Sequence, residues 1–415
     1  ATPTPTATPT PTATPTPTPP GNNQAISFPQ NGTISSPITG DDVSIVAGKD
    51  LNINATISAS TAELAAGRNL TLNSSLDVSN AILSCFGNFD FKVPILAPAR
   101  NGTLWFDPEN GRTLSLFVPG IDVNTVGSRG NPIALNGGDA WFLSLFSEGG
   151  NGGTLNIGSA SVPVAGDINI NSDINATTGA NGALVAFGGN GGNVNLTSNG
   201  QVTVNNNIKV SDTLAGHASK SGGNIRITSN KTTGTAISVN SSAQLLALLS
   251  NAAPGPGGSI TFTSAGGAIN MNGTAKADRG TVQITNTGST GVVTMQNATL
   301  HGDVVKVGAL GNNGTLNVGG GTIDANSTIK LFAGGSNGTV NFTNNVTLSG
   351  NSAKTISGDT VNIFNGKVVT VLGPSPADVF TNHANYTGFG GNGSTTGTFA
   401  GQGAVTHSLA SGGGF

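Results

Sequence analysis

The sequence predicts an all-β protein, an elongated solenoid of parallel strands. Three observations predict it: a repeat near 20 residues, short runs in which apolar and polar residues alternate, and a composition with 63 Gly but only 8% charged residues. Period-two alternation is typical of strands with one buried face. A repeat of this length indicates a coil that stacks on its neighbours, because one coil cannot bury its apolar side alone.

The clearest repeat occupies residues 47–57 and 66–76. The second copy begins 19 residues after the first, and a less regular third copy follows at the same step. We expect equivalent residues of successive coils to share a column. The predicted core columns are Leu51, Leu70 and Phe89; Ile53, Leu72 and Phe91; and Ile57, Leu76 and Ile95. A polar column of Asp50, Asn69 and Asn88 should lie between them, with Cys85 in the column of Ala47 and Ala66.

From residue 150 onward a short phrase recurs, in which Gly precedes an alternating strand. Its copies begin at Gly153, Gly192, Gly223, Gly258, Gly280, Gly314, Gly338 and Gly358. We expect this Gly to supply a positive φ or a tight bend at a corner. Long steps between copies predict inserted loops at 211–222 and 250–257, and residues 242–250 could form a helical turn. About 350 residues in coils of about 20 predict roughly 16–18 coils.

Composition divides the chain into three parts. Residues 1–20 repeat Thr-Pro and should form an extended polyproline II tail, because Pro lacks an amide hydrogen and fixes φ. Residues 21–373 form the solenoid body, with an aromatic-rich portion at 86–146, and residues 374–415 are a Gly/Asn/Thr-rich C-terminal segment. The tail is either an O-glycosylated linker or an arm that docks on a neighbouring subunit. The threonines concerned are Thr2, Thr4, Thr6, Thr8, Thr10, Thr12, Thr14, Thr16 and Thr18.

Charge and hydropathy exclude several function classes. A net charge of −3 with 16 Lys and Arg gives no basic footprint for nucleic acid. No apolar run approaches the roughly 20 residues that span a bilayer. We expect a processed chain, since it begins with Ala1 rather than Met.

The aromatic residues of 86–146 either fill a wide coil or cover a solenoid end, or they form a stacking platform for sugars or bases.

The repeats at 47–57 and 66–76, with a weaker echo at 166–170, resemble the repeat regions of filamentous-haemagglutinin-like and autotransporter-type adhesins. These are bacterial surface proteins built as right-handed parallel β-helices. The resemblance therefore implies a right-handed helix, an extracellular or cell-surface location, and a structural or adhesive role.

The residues that could carry chemistry are few and dispersed, so we predict no catalytic residue, no cofactor and no metal site. Asp107 and Glu109 flank a Pro in what reads as a turn. His217, His301, His383 and His407 lie in four separate places. The Gly-Gly-Asn-Gly-Gly runs at 149–153 and 188–192 are similar to calcium-binding repeats but lack the Asp. Cys85 is either a small buried residue or the site of an intermolecular disulfide.

We therefore expect a secreted, non-enzymatic structural protein, a β-helical subunit of a self-assembling extracellular filament or adhesive surface fibre. The expected partner is a second copy joined head to tail, with the N-terminal tail docking on a neighbour, because exposed strand edges recruit other chains and unlike ends do not close. A carbohydrate or a host or abiotic surface is a further expected partner; nucleic acid and a membrane span are not. The alternatives are a carbohydrate-active β-helix enzyme (lyase or hydrolase), a non-catalytic carbohydrate-binding adhesin, and an ice-binding rod.

Overall fold

The computed structural model describes residues 23–91 apart from 75 and 86–88, and residues 151–373 with short gaps at 162, 165, 172, 179–188, 212–218, 250–252, 254, 352 and 365. It also describes the backbone of six strands between and beyond these ranges, at 113–117, 121–122, 133–134, 377–381, 398–401 and 406–409. Every regular element in the described residues is a β-strand.

The strands are short and follow one another closely along the chain. In order they are β1 (Gln24–Phe28), β2 (Gly32–Ile34), β3 (Ile38–Ala47), β4 (Leu51–Ile53), β5 (Ile57–Ala66), β6 (Leu70–Leu72), β7 (Leu76–Cys85), β8 (Phe89–Phe91), β9 (Thr113–Phe117), β10 (Ile121–Asp122), β11 (Ile133–Ala134), β12 (Thr154–Ile157), β13 (Ile168–Ile170), β14 (Ile174–Asn175), β15 (Asn193–Ser198), β16 (Val202–Val204), β17 (Ile208–Ser211), β18 (Asn224–Ser229), β19 (Thr235–Val239), β20 (Gln244–Ala247), β21 (Ser259–Ser264), β22 (Ala268–Met271), β23 (Thr274–Asn286), β24 (Val292–Met295), β25 (Ala298–Ala309), β26 (Thr315–Val318), β27 (Gly321–Ala333), β28 (Thr339–Phe342), β29 (Val346–Ser349), β30 (Ala353–Gly358), β31 (Thr360–Ile363), β32 (Val368–Val371), β33 (Ala377–Thr381), β34 (Thr398–Gly401) and β35 (Thr406–Leu409).

The strands form three parallel stacks, which we call faces A, B and C in the order in which a coil visits them. Face A runs from β1 through β3, β5, β7, β9, β12, β15, β18, β21, β23, β25, β27, β30 and β33 to β35. Face B contains β2, β4, β6 and β8, and then the stack from β10 to β31. Face C contains the first halves of β3, β5 and β7, and later β11, β14, β17, β20, β23, β25, β27, β29, β32 and β34. The chain is therefore a parallel β-solenoid with three-sided coils.

The predicted core columns are confirmed wherever the structure describes them. Leu51 lies opposite Leu70, which lies opposite Phe89, and Ile53, Leu72 and Phe91 pair in the same register. Ile57 pairs with Leu76. The side chains of Leu51, Leu70, Ile53, Leu72 and Ile57 are fully buried and that of Leu76 is 6% exposed. Burial at about 25 cal/mol per Å² of apolar surface makes these columns a main source of stability.

The other predictions concern some residues that the structure describes and some that it does not. Cys85 is buried in the column of Ala47 and Ala66, as the small-residue interpretation predicts. Ile95, Asn88 and the tail at 1–20 lie outside the described residues. So do Asp107 and Glu109, most of the aromatic-rich portion at 86–146, and the segment at 374–415 apart from the backbone of its three strands.

The coils are less uniform than a step of about 20 predicts. Partners lie 19 residues apart in the first coils, 30 to 47 apart in the middle, and 21 to 30 apart towards the C-terminal end. Face A consequently stacks fifteen described strands rather than 16–18. At a spacing of about 4.8 Å this face is roughly 70 Å long.

Hydrogen bonds between asparagine side chains link one coil to the next. On face B, Asn341 donates to Asn317 and accepts from Asn362, each at 2.9 Å. On face A, Asn195 donates to Asn156 at 2.8 Å. Amides stacked in register bond as they do in cross-β ladders. The high Asn content of the sequence is therefore used to bind coils together from outside the core.

The first coils add a charged version of the same contact. Asp50 accepts hydrogen bonds from Nδ2 of Asn69 at 2.8 Å and from the forked guanidinium of Arg68. The hydrogen bond and charge of Arg68 lower the pKa of Asp50 to about 2. The predicted polar column of Asp50 and Asn69 is thus confirmed, and it is an ion-paired clamp between two coils.

The recurring glycine does not supply the positive φ that was one of its two predicted roles. None of the eight phrase glycines is among the glycines with positive φ in the described residues. Instead, a Cβ on Gly192, Gly223, Gly258 or Gly280 would overlap the carbonyl oxygen of the equivalent glycine one coil earlier. These positions require Gly because the backbones of successive coils approach closely there.

Residues 242–250 form no helical turn in their described part. Gln244–Ala247 is strand β20, in which Leu245 and Ala247 are buried and pair with Ala275 and Ala277. The run Gln-Leu-Leu-Ala-Leu-Leu has a high helix propensity. Pairing with coils on both sides overrides that propensity, because propensity is a weak preference beside tertiary contacts.

The glycine column predicts a sharp difference between two substitutions. Gly258→Ala should lower the free energy of unfolding by about 1–3 kcal/mol, because its Cβ overlaps backbone of the preceding coil and not a side chain that can move. Gly302→Ala, whose Cβ meets its nearest atom at 3.0 Å, should cost less. Urea denaturation of both variants measures this, and equal losses would contradict the close-packing explanation.

Candidate interaction corner

Four successive coils carry insertions at the same corner, between face C and face A. The inserted segments are 135–153, 176–192, 212–223 and 248–258. In the coils before and after them, single strands such as β5 (Ile57–Ala66) and β25 (Ala298–Ala309) run directly from face C to face A. We call this corner the insertion corner. Insertions in repeat proteins collect on one face, and that is often the binding face.

The ends of these segments that the structure describes are hydrogen-bonded to one another. The amide of Asn190 donates to the Asn151 side chain at 2.7 Å, and Ser221 Oγ donates to the Asn190 side chain at 2.7 Å. Backbone bonds run from Gly152 to Asn190 at 2.9 Å and from Gly191 to Ser221 at 3.0 Å. The segments therefore return to the solenoid through an ordered polar ladder that projects from the corner.

The last inserted segment is held by the next coil, which has no insertion. Asp278 accepts a hydrogen bond from the amide of Leu249 at 3.3 Å, and the Arg279 guanidinium donates to the carbonyl of Ala253. Arg279 occupies the column of Gly257 and has a φ of 53°, in the left-handed region that favours glycine. This strained residue marks the coil at which the insertions stop, and its side chain contacts the final one.

A row of charged and polar side chains continues from this point along face C. Lys276, His301, Asp324 and Ser349 occupy equivalent positions on β23, β25, β27 and β29. His301 Nδ1 lies 2.7 Å from Asp324 Oδ2, and its Nε2 lies 3.4 Å from Asp278 Oδ1. Lys276 Nζ is 3.5 Å from the same Asp278 oxygen, and Ser349 Oγ donates to Asp324 at 2.6 Å. We call Lys276, Asp278, His301 and Asp324 the charged row.

The geometry favours a protonated His301, because both ring nitrogens face carboxylates. The hydrogen bond with Asp278 raises the pKa of His301; burial opposes this, and Asp324 adds to it. Burial raises the pKa of Asp278, but His301 and Lys276 outweigh it, so that this pKa lies below its usual value. These contacts therefore favour the charged forms of both His301 and Asp278.

A lysine inside the solenoid is influenced by the charge of Asp324. Lys354 is fully buried, between Ile329 and Ala377 in an inward column of face A. Its Nζ donates to the carbonyl of Gly350 at 3.1 Å. Burial lowers the pKa of Lys354, and the charge of Asp324 raises it in part. Positive and negative groups therefore alternate from Lys276 through Asp278, His301 and Asp324 to Lys354.

The charged row is better suited to binding and to holding coils together than to proton transfer. A general acid needs a carboxyl whose pKa is raised towards the working pH, whereas that of Asp278 is lowered. A general base needs a neutral imidazole, whereas the carboxylates of Asp278 and Asp324 raise the pKa of His301 and favour its protonated form. Among the described residues, no three His, Cys, Asp or Glu side chains are grouped so that they could hold a metal ion.

Sequence reasoning missed this site because it judged His301 as one of four isolated histidines. A signal was present: Thr followed by an apolar residue recurs at Thr274, Thr299, Thr322, Thr347 and Thr370. In the first three copies the next position holds a member of the charged row: Lys276, His301 or Asp324. These threonines stack in one column. His217 and His383 lie outside the described residues, and His407 lies in the backbone of β35.

Comparison with known proteins gives no relative for this chain: no family model, no curated protein and no solved structure matches it. In the described residues, no helix has the length and apolar character needed to cross a membrane.

The charged row predicts a pH dependence of stability. Because the pKa of His301 is raised in the folded state, its contribution is complete below about pH 6.5 and is lost as pH rises through the folded pKa. His301→Gln should lower the free energy of unfolding by about 1.5–3 kcal/mol at about pH 6, the value for a hydrogen bond to a charged group, and remove this pH dependence.

Urea denaturation between about pH 6 and about pH 9 measures the effect. His301→Lys should keep a positive charge over this range and stay insensitive to pH. Asp303→Asn, on the same strand but bonded to Asn326, is the matched control and should retain the wild-type slope. An unchanged slope in His301→Gln would contradict the assignment.

Proposed function

We propose that this chain is a secreted structural protein, the β-helical subunit of an extracellular filament or adhesive surface fibre. The observation that supports it best is the continuous stack of parallel strands on face A, from β1 to β35, because such a stack forms a rod with unlike ends. Charged side chains that usually blunt strand edges are scarce in this sequence. Contacts between unlike ends do not close, so they propagate as a filament.

The finer features of this proposal follow from general rules and from the sequence. A right-handed helix is the expected hand, because parallel strand crossovers are right-handed in about 98% of cases. The Thr/Pro tail at 1–20 would lie outside the stack, as a glycosylated linker or as an arm on a neighbouring subunit. An extracellular location agrees with a surface of Asn, Thr, Ser and Gly, as in the adhesins that the repeats resemble.

Electron microscopy of the purified chain tests the filament. With rising concentration we expect unbranched fibres about as thick as one solenoid, because each subunit adds along the stacking axis. Dispersed short rods at every concentration would contradict the proposal.

A second candidate function is carbohydrate binding without catalysis, and the insertion corner favours it. The corner combines amides and hydroxyls at Asn151, Asn190 and Ser221 with the charged row, in which the formal charges cancel when His301 is protonated. Such groups bond to sugar hydroxyls and attract no highly charged polymer. A carbohydrate-active enzyme is the weaker alternative, because the pKa shifts of the row oppose acid–base catalysis.

Binding assays with soluble neutral and acidic polysaccharides separate these alternatives. We expect the Asn190→Ala and Ser221→Ala double variant to weaken binding to a neutral polysaccharide several-fold, while Thr294→Ala on face B leaves it unchanged. The same mixtures are assayed for new reducing ends or unsaturated products. Turnover would establish the enzyme instead, and unchanged binding in the double variant would exclude this corner.

A further inference from the structure

At the N-terminal end of the described part of the solenoid, one edge of β1 and of β2 has no described strand beside it. Among the described strands, β1 pairs only with β3, and β2 only with β4. The carbonyl of Phe28 accepts a bond from Gly48, so Phe28 faces the following coil. Alternate residues of a parallel strand direct their backbone groups to opposite sides. Ala25 and Ser27 therefore direct their N–H and C=O groups to the open side.

The apolar interior is incompletely covered at the same end. Ile26 and Phe28 are partly buried, whereas their partners one coil later, Ile45 and Ala47, are 0% and 1% exposed. Another coil placed before β1 would complete the burial of Ile26 and Phe28. Unpaired backbone groups and half-covered apolar side chains together define a surface that accepts a parallel strand.

The chain's own N-terminal tail is a poor candidate for that strand. Eight of the first 20 residues are Pro, and one coil step of 19 residues before Gln24 and Phe28 lie Pro5 and Pro9. Proline cannot donate to a ladder, so these positions would leave β1 without the bonds that it needs.

Charge is distributed unevenly along the chain and favours a second copy as the partner. The first 173 residues contain thirteen Asp or Glu and six Lys or Arg, and the remaining residues contain six and ten. The formal net charges of the two parts are therefore −7 and +4, which sum to the −3 of the whole chain. An acidic leading part and a basic trailing part attract each other where the leading end of one copy meets the trailing end of another, as in a head-to-tail arrangement.

We propose that the open edge of β1 and β2 is the acceptor surface for the C-terminal coil of a second copy. The partner's β35 pairs in parallel with β1 and extends face A across the junction, so that Ile26 and Phe28 become buried. The inference rests on the proposed filament and adds the surface and the orientation of each contact.

A substitution at the open edge tests the junction. Ser27→Pro removes an N–H that points away from the coil and is exposed, so edge pairing is lost while internal pairing is kept. We expect at least tenfold fewer fibres by electron microscopy and sedimentation, with wild-type thermal unfolding of the monomer. Ser27→Ala, which keeps the N–H, should assemble like wild type.

Two further measurements keep the test decisive. Asp41→Lys with Asp42→Lys reverses charge at exposed positions near this end and should also reduce assembly, as should high salt. If Ser27→Pro and the charge-reversed variant both form as many fibres as wild type, the proposed junction is wrong but the proposed filament is still supported. If wild type forms no fibres, the filament fails as well. If Ser27→Pro fails to fold, the charge-reversed variant decides.

Discussion

In-register stacking of one coil on the next is the constraint on which the rest of the structure depends. The ladder bonds of a strand are made to the coils before and after it, so a residue and its equivalent one coil later share a column. Apolar residues then form buried columns, asparagines form hydrogen-bonded ladders, and glycines occupy the columns where backbones meet. In-register stacking thus explains three features of the sequence that would otherwise be unrelated: the alternation of apolar and polar residues, the high Asn content and the high Gly content.

The stacking of coils also determines where the chain can change in length and so acquire a function. Strand positions are fixed by neighbours on both sides, whereas a corner can lengthen without disturbing the stack. Four consecutive coils lengthen at one corner, and the next coil, with Asp278 and Arg279, holds the last insertion. The charged row begins there, where the coils shorten again.

Much of the scaffold could be predicted from the sequence, because a constant step of 19 residues makes the columns of Leu51 and Leu70 visible without coordinates. The charged row could not be predicted in the same way. His301 and Asp324 are 23 residues apart in the sequence, and Asp278 is the same number of residues from His301. The preceding insertions make the repeat length irregular in this region, so the column could not be recognised. The role of Gly258 was also hidden, because a glycine that permits close approach and one that adopts positive φ look alike in sequence. Residues 244–247 show the converse, a helix-favouring run that stacking makes a strand.

Disulfide trapping tests the stacking rule most directly. Asn317 and Asn341 are opposite each other on neighbouring coils, about 4.8 Å apart, which lies within the Cα separation that a disulfide can bridge. In a Cys85→Ala background, Asn317→Cys with Asn341→Cys should oxidise completely and leave the fold intact. Asn317→Cys with Thr339→Cys is diagonal to the register and should remain reduced. Equal oxidation of both pairs, or oxidation of the diagonal pair alone, would contradict the stacked arrangement of coils.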